Sequence, residues 1–242
     1  MPTSRKRKRA GKAVKRQPYE LPKFDLSKSW SLKIKPTQLR YLKEDPDFLT
    51  MVKFGRAINA ISFAATVVGL GVHQKTQTDK RQYRRGLFVL AGYLHQTILI
   101  IRGVDDRHIT MESFIPLRTI AHDAKYEKVR TYAKTIRNYT AFHLDEFDKH
   151  ENTKRSLDML DPTMYVLMGG DNDHFGTFYF QLSDYLDFQI VGKEFQGDRT
   201  PEETINDITD SIIGTSFELL DGLHGFILAL ARKMDLHEYV YQ

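Results

Sequence analysis

The stretch RTPEETINDITDSIIGTSFELLDGLHGFILALARKM, residues 199–234, decides the fold. Thr200 is an N-cap residue, Pro201 occupies the first helical position, and Glu203 completes a capping box three residues after the cap. Ile205, Ile208, Ile212, Leu219, Leu223, Phe226 and Leu230 recur at helical spacing. A helix this long with one continuous apolar stripe needs other helices to cover it.

Working back toward the N-terminus, partners of the right kind are present. DPDFLTMVKFGRAINAISFAATVVGLGVHQ (45–74) opens with Asp45-Pro46, a helix start, and Gly69 and Gly71 weaken its other end. Phe48, Val52, Gly55, Asn59, Phe63 and Val67 fall on one stripe, which widens through Ile58, Ile61 and Ala65, so burial on most sides is expected. A polar loop, QKTQTDKRQ (74–82), leads to a second apolar helix over about 82–102. A polar stretch with Pro116 follows. A third long helix is predicted over about 124–149, spaced Tyr126, Val129, Tyr132/Ala133, Ile136, Tyr139/Thr140, Phe142/His143 and Phe147.

The pattern changes after ENTKRSLDML (151–160), a short helix ended by Asp161-Pro162. TMYVLM and TFYFQL are β-prone and are separated by GGDNDHFG, which predicts a hairpin at about 163–182. SDYLDFQIVG suits a short helix. No internal repeat is visible. The fold class expected is mainly α: a four-helix-type bundle with a small β-hairpin insertion before the last helix.

Composition narrows the chemistry. The chain has 242 residues, 41% hydrophobic, enough for one large domain with a substantial core. It has no Cys, which excludes disulfides, thiolate metal sites and Cys nucleophiles and suits a reducing, cytoplasmic setting. The net charge of +5 is unevenly placed. Eight of the 36 basic residues lie in residues 1–16: Arg5, Lys6, Arg7, Lys8, Arg9, Lys12, Lys15 and Arg16. The remaining 28 face 31 acidic residues, so the basic character belongs to an arm.

Residues 1–30 are therefore expected to be a basic disordered tail and linker, and residues 31–242 the bundle. A short turn near 37–43 is expected at the junction. Such an arm seeks a polyanion, and RNA contact through its eight cations is the expectation. The basic run is not followed by an apolar segment, so it is not a secretory signal. Residues 57–72 and 86–101 are apolar but short of the roughly 20 residues of a membrane span, so buried helices are expected and no membrane partner.

The chemically suggestive stretch is RNYTAFH, residues 137–143. On an ideal helix Arg137 and His143 would lie about 120° apart in direction and about 9 Å apart along the axis. A kink, or a twofold-related second copy, could bring such groups together. A His exchanges protons near neutral pH, an Arg offers a permanent forked charge that suits phosphate, and Asn138 can orient either group. Those are the parts needed to cleave RNA without a metal.

Arg, a polar residue and then His after five intervening residues resembles the motif of the HEPN superfamily (higher eukaryotes and prokaryotes nucleotide-binding domain). VKFGRAINAISFA (52–64) is similar to the first helix of bacterial abortive-infection-type HEPN proteins, and RNYTAFHLD to their active-site helix. The resemblance covers about 48–235. It implies a homodimer whose two motifs form one composite, metal-independent endoribonuclease site, leaving 2′,3′-cyclic phosphate ends. His143 would be the general base or acid, Arg137 the cation on the phosphate, and Asn138 the orienting group. It further implies a toxin or phage-defence role with an antitoxin or regulatory partner, and no cofactor. Some members of the family have lost catalysis, so the alternative is a non-catalytic HEPN-like module that binds nucleic acid or a protein.

Plainer readings stand beside these. Arg137 and His143 could be a surface or interface pair, with Tyr139 and Phe142 as core or dimer contacts. Asp171, Asp173 and His174 suit a hairpin turn better than a metal. His143, Asp145, Asp148 and His150 diverge around a helix, which disfavours metal binding. Within apolar helices Asn59 and His95 fit satisfied core polar groups first and a pocket second.

Overall fold

A computed structural model of the chain describes residues 30–34, 36–71, 77–138, 168–169, 179–180, 191–192 and 194–240. The described structure is mainly helical. In chain order it has β1 (Trp30–Lys33), α1 (Pro36–Leu42), α2 (Pro46–Gly71), α3 (Gln77–Arg102), α4 (Asp106–Ile109), α5 (Ile115–His122) and α6 (Glu127–Ile136). There follow β2 (Met168–Gly169), β3 (Tyr179–Phe180), α7 (Pro201–Lys233) and β4 (His237–Val240).

The two longest apolar segments start where local chemistry dictates. The Asp45 carboxylate accepts from the backbone N–H groups of Asp47 (2.7 Å) and Phe48 (3.1 Å), and Pro46 follows it into α2. Thr200 and Glu203 form the expected capping box, with the Glu203 N–H donating to Thr200 Oγ1 at 3.2 Å and the Thr200 N–H to Glu203 Oε2 at 2.9 Å. At the other end of α7, Asp235 takes the left-handed conformation (φ 51°) and Leu236 N–H donates back to Ala231 O at 2.9 Å. The reversal leads into β4, which pairs antiparallel with β1, Trp30 opposite Val240 and Lys33 opposite His237.

α2 and α3 form an antiparallel hairpin. A Cβ on Gly86 would lie 2.9 Å from Val68 N, so glycine is what permits the backbones to approach this closely. α7 packs across α2, α3, α5 and α6, and α6 also packs against α3. The core centres on Phe226, fully buried, with Phe114, Phe54 and His108 edge-on to its ring at centroid distances of 5.0, 5.4 and 5.8 Å. At one end of the bundle three elements meet on Asp47. Its Oδ1 lies 2.8 Å from Nε2 of the fully buried His108, and its Oδ2 accepts from Lys233 Nζ at 2.6 Å. Burial pushes the Asp47 carboxyl up, but the hydrogen bonds from Lys233 and His108 outweigh it and hold the group below its ordinary value.

Several expectations need correction. The stripe predicted for α2 is not the buried one. Met51, Phe54, Ala57, Ile61, Ala64 and Val68 face the core with Phe48, while Val52 and Phe63 are 45% and 64% exposed. α2 is apolar on several sides, so periodicity supplies little direction; apart from Phe48 and Ile61, the core stripe falls on residues other than the expected ones. Residues 36–42 form two helical turns in place of a turn, with Pro36 at the tolerated first position. The polar stretch around Pro116 contains α5, with the proline in its first turn. α3 begins at Gln77, inside the predicted polar loop. The third helix starts at Glu127 after a 3₁₀ turn and is regular α-helix to Ile136; its expected continuation over 139–149 lies outside the described residues.

The β-hairpin expected at about 163–182 is not supported as such. The described residues there show only a two-residue antiparallel pair, Met168 opposite Phe180 and Gly169 opposite Tyr179. Residues 1–29, including the eight cations of the arm, lie outside the described residues, as do 139–167. Two helical stretches, α2 and Glu203–Lys233 within α7, are long and apolar enough to cross a membrane by length and composition. In the bundle, the apolar face of α7 is spent on the core.

One polar cluster makes a pH prediction. Asp207 on α7 accepts from Lys128 Nζ (2.8 Å), Tyr132 OH (2.6 Å) and Arg199 Nη1 (2.8 Å). Burial alone would raise its carboxyl; the three donors outweigh burial and bring it down to about 2, against an ordinary 3.8. A folded value below the unfolded one means the ionised form is favoured by folding. The stabilisation is therefore complete above about pH 4 and is lost as pH falls toward 2. Asp207→Asn is expected to cost about 1–2 kcal/mol at pH 7, after discounting for solvent screening. Urea midpoints should differ at pH 7 and converge near pH 2. An equal difference at both would show that the carboxylate charge is not the source.

Candidate functional site

Arg137 and Asn138 stand where α6 stops being a regular α-helix. The Arg137 N–H donates to both Ala133 O and Lys134 O, and at 137–138 the chain widens into a π-type turn. Arg137 Nη1 donates to Asn138 Oδ1 at 3.0 Å, so the amide orients one arm of the guanidinium fork. Arg137 Nε is buried and has no hydrogen-bond partner among the described residues. Such a donor is costly to leave unused. Ile136, fully buried, anchors the turn one residue earlier.

His143, Tyr139 and Phe142 lie outside the described residues, as do Asp145, Asp148, His150, Asp171, Asp173 and His174. Of the three predicted catalytic residues, Arg137 and Asn138 are thus placed together. Among the described residues no group of His, Asp or Glu is arranged to hold a metal ion.

The structure adds groups to this corner that the motif does not contain. His95 is half-buried in the middle of α3. Burial holds its imidazole below the ordinary value, and the charges of Arg137, Lys134 and Arg102 push the same way. Cations from the ends of two helices thus surround the His95 imidazole. Arg130, Lys134 and Arg137 follow one another at i, i+4 and i+7 on α6, a spacing visible in the sequence. That α3 presents His95 to that stripe is visible only in the packing of α3 on α6.

The contact of His108 with Asp47 is of a different kind. His108 is wholly enclosed, its Nδ1 has no partner among the described residues, and its neighbours are Phe226 and the end of α7. Closed off from any substrate, it ties α4 to α2.

Comparison with protein-family models, with curated proteins and with solved structures finds no match to this chain.

Proposed function

We propose that the protein is a metal-independent endoribonuclease of the HEPN type, acting as a cytoplasmic toxin or phage-defence factor through a composite site in a homodimer. The observation that carries this reading is Arg137, its guanidinium oriented by Asn138 at the widened end of α6. A forked cation with spare donors suits the non-bridging oxygens of a phosphodiester, where charge develops as RNA is cleaved. In the proposed reaction His143 takes the proton from a ribose 2′-hydroxyl. The 2′-oxygen then bonds to phosphorus, the bond from phosphorus to the 5′-oxygen breaks, and an imidazolium returns a proton to that leaving oxygen. The products are a 2′,3′-cyclic phosphate and a 5′-hydroxyl. A hairpin at about 163–182 remains part of the proposed architecture, supported by the alternation of TMYVLM and TFYFQL and by the Met168–Phe180 pairing.

The test uses RNA in EDTA with the wild-type chain and with His143→Ala. Cyclic-phosphate ends are expected from the first and not the second. Equal cleavage by both, or none by either, removes the catalytic reading. In the second case RNA binding would leave the alternative, a non-catalytic module, which Arg130, Lys134 and Arg137, with no carboxylate at ion-pair distance among the described residues, favour.

A further inference from the structure

The charges around Arg137 belong to a longer feature. Arg102, in the last turn of α3, donates through Nε and Nη2 to Ala121 O at 3.1 and 2.8 Å. Arg130, on α6, donates through Nη1 to Ile120 O at 3.0 Å and Asp123 O at 2.7 Å. Two guanidiniums are thus fixed on the same short turn at the end of α5, held by neutral carbonyls. Burial first, and then the Arg102 charge, depress the Arg130 guanidinium, as expected for like charges brought together. His122 lies beside them and is also held below its ordinary value, by burial and then by Arg102, Arg130 and Arg118.

The band runs from Arg118 and His122 on α5, over Arg102 and Arg130, to Lys134, His95 and Arg137. Among the described residues none of its five cations has a carboxylate within ion-pair distance; Asp123 and Glu127 act on Arg130 only as more distant charges. This contrasts with the neighbouring Lys128, which is paired to Asp207. Five cations gathered with no carboxylate paired to them among the described residues repel one another, and a bound polyanion would relieve that repulsion.

We infer that this band across α3, α5 and α6 is a track for the phosphate backbone of single-stranded RNA, leading the strand to Arg137. The inference rests on the nuclease reading for the position of the scissile phosphate, but the track itself does not need catalysis. A guanidinium already oriented by one carbonyl loses little freedom when its remaining N–H groups meet phosphate oxygens. RNA is favoured over an anionic membrane because Arg102, Arg130 and Arg137 are fixed in direction by their hydrogen bonds and the band ends at the Arg137 fork proposed to meet a single phosphodiester.

The test measures binding of a single-stranded RNA oligonucleotide to the full chain bearing His143→Ala, over a range of salt concentrations. Arg118→Glu and Lys134→Glu, both at exposed positions with no side-chain hydrogen bond among the described residues, are each expected to weaken binding about 10-fold. Each should also reduce the slope of log affinity against log salt by about one. Lys53→Glu, on the exposed side of α2, should change neither. The His95 and His122 imidazoles, followed by NMR, should titrate at higher pH with RNA bound, since the phosphates offset Arg137, Lys134 and Arg102 around the first and Arg102, Arg130 and Arg118 around the second. Deleting residues 1–16 separates the arm from the track, because the effects of Arg118→Glu and Lys134→Glu should survive it.

Unchanged affinity and slope in both charge variants would overturn the track even if the wild type cleaves RNA. Loss of binding in the variants with no cleavage by the wild type would uphold the track and remove the nuclease. Loss of binding to phosphatidylserine vesicles, with RNA binding intact, would assign the band to a membrane surface and overturn the inference.

Discussion

Arg137→Ala is expected to lower the rate of RNA cleavage about 100-fold or more while the protein stays folded. Removing one preorganised donor from a developing oxyanion typically costs 10²–10³ in rate. Arg137 offers a charge as well as donors, so the loss belongs at or above the lower end. Its side chain makes one hydrogen bond in the described structure, to Asn138, and no ion pair there. The structural cost of truncation should therefore be small, and melting curves of variant and parent should nearly coincide. Arg137→Lys keeps the charge but loses the fork and its orientation by Asn138, so a partial recovery is expected. Wild-type cleavage by Arg137→Ala would remove Arg137 from the site and with it the motif. A large drop in melting temperature would instead make it a structural residue of the α6 end.

The largest effect on stability is expected at Phe226. Phe226→Ala should cost about 3–5 kcal/mol, since the ring is fully enclosed and touches Phe54, Phe114 and His108 from three other helical segments. The cavity would open where those elements meet, and none of them can move in without breaking its other contacts. Phe63→Ala is the control, because Phe63 is 64% exposed on α2 and its truncation should stay within about 0.5 kcal/mol. Urea unfolding of both variants compares them directly. A costly Phe63→Ala with a mild Phe226→Ala would mean that α2 is rotated so that Phe63 faces the core.

The contrast between those two phenylalanines shows where sequence reading reaches its limit. α7 announced itself: a capping box at Thr200–Glu203, a proline in place, and an apolar stripe that includes Phe226. The start of α2 was equally legible from Asp45 and Pro46. Its core face was not, because a helix apolar on several sides can be rolled by a residue without changing its pattern. α5 escaped notice because eight residues with an early proline carry too few turns for periodicity.

The candidate site divides in the same way. The kinds of group were legible: an arginine followed by an asparagine at 137–138, basic residues at 130 and 134, a histidine at 95. Their meeting was not. His95 lies 42 positions from Arg137, and Arg118 and Arg102 belong to other helices. Local chemistry determined the helices, their caps and the absence of thiol chemistry, because those depend on residues within a turn or two of one another. Only tertiary packing decided which face of α2 is buried, and that three helices gather five cations and two histidines into one band. The strength of a charge depends on which other charges folding brings within a few ångströms, and spacing along the chain does not contain that distance.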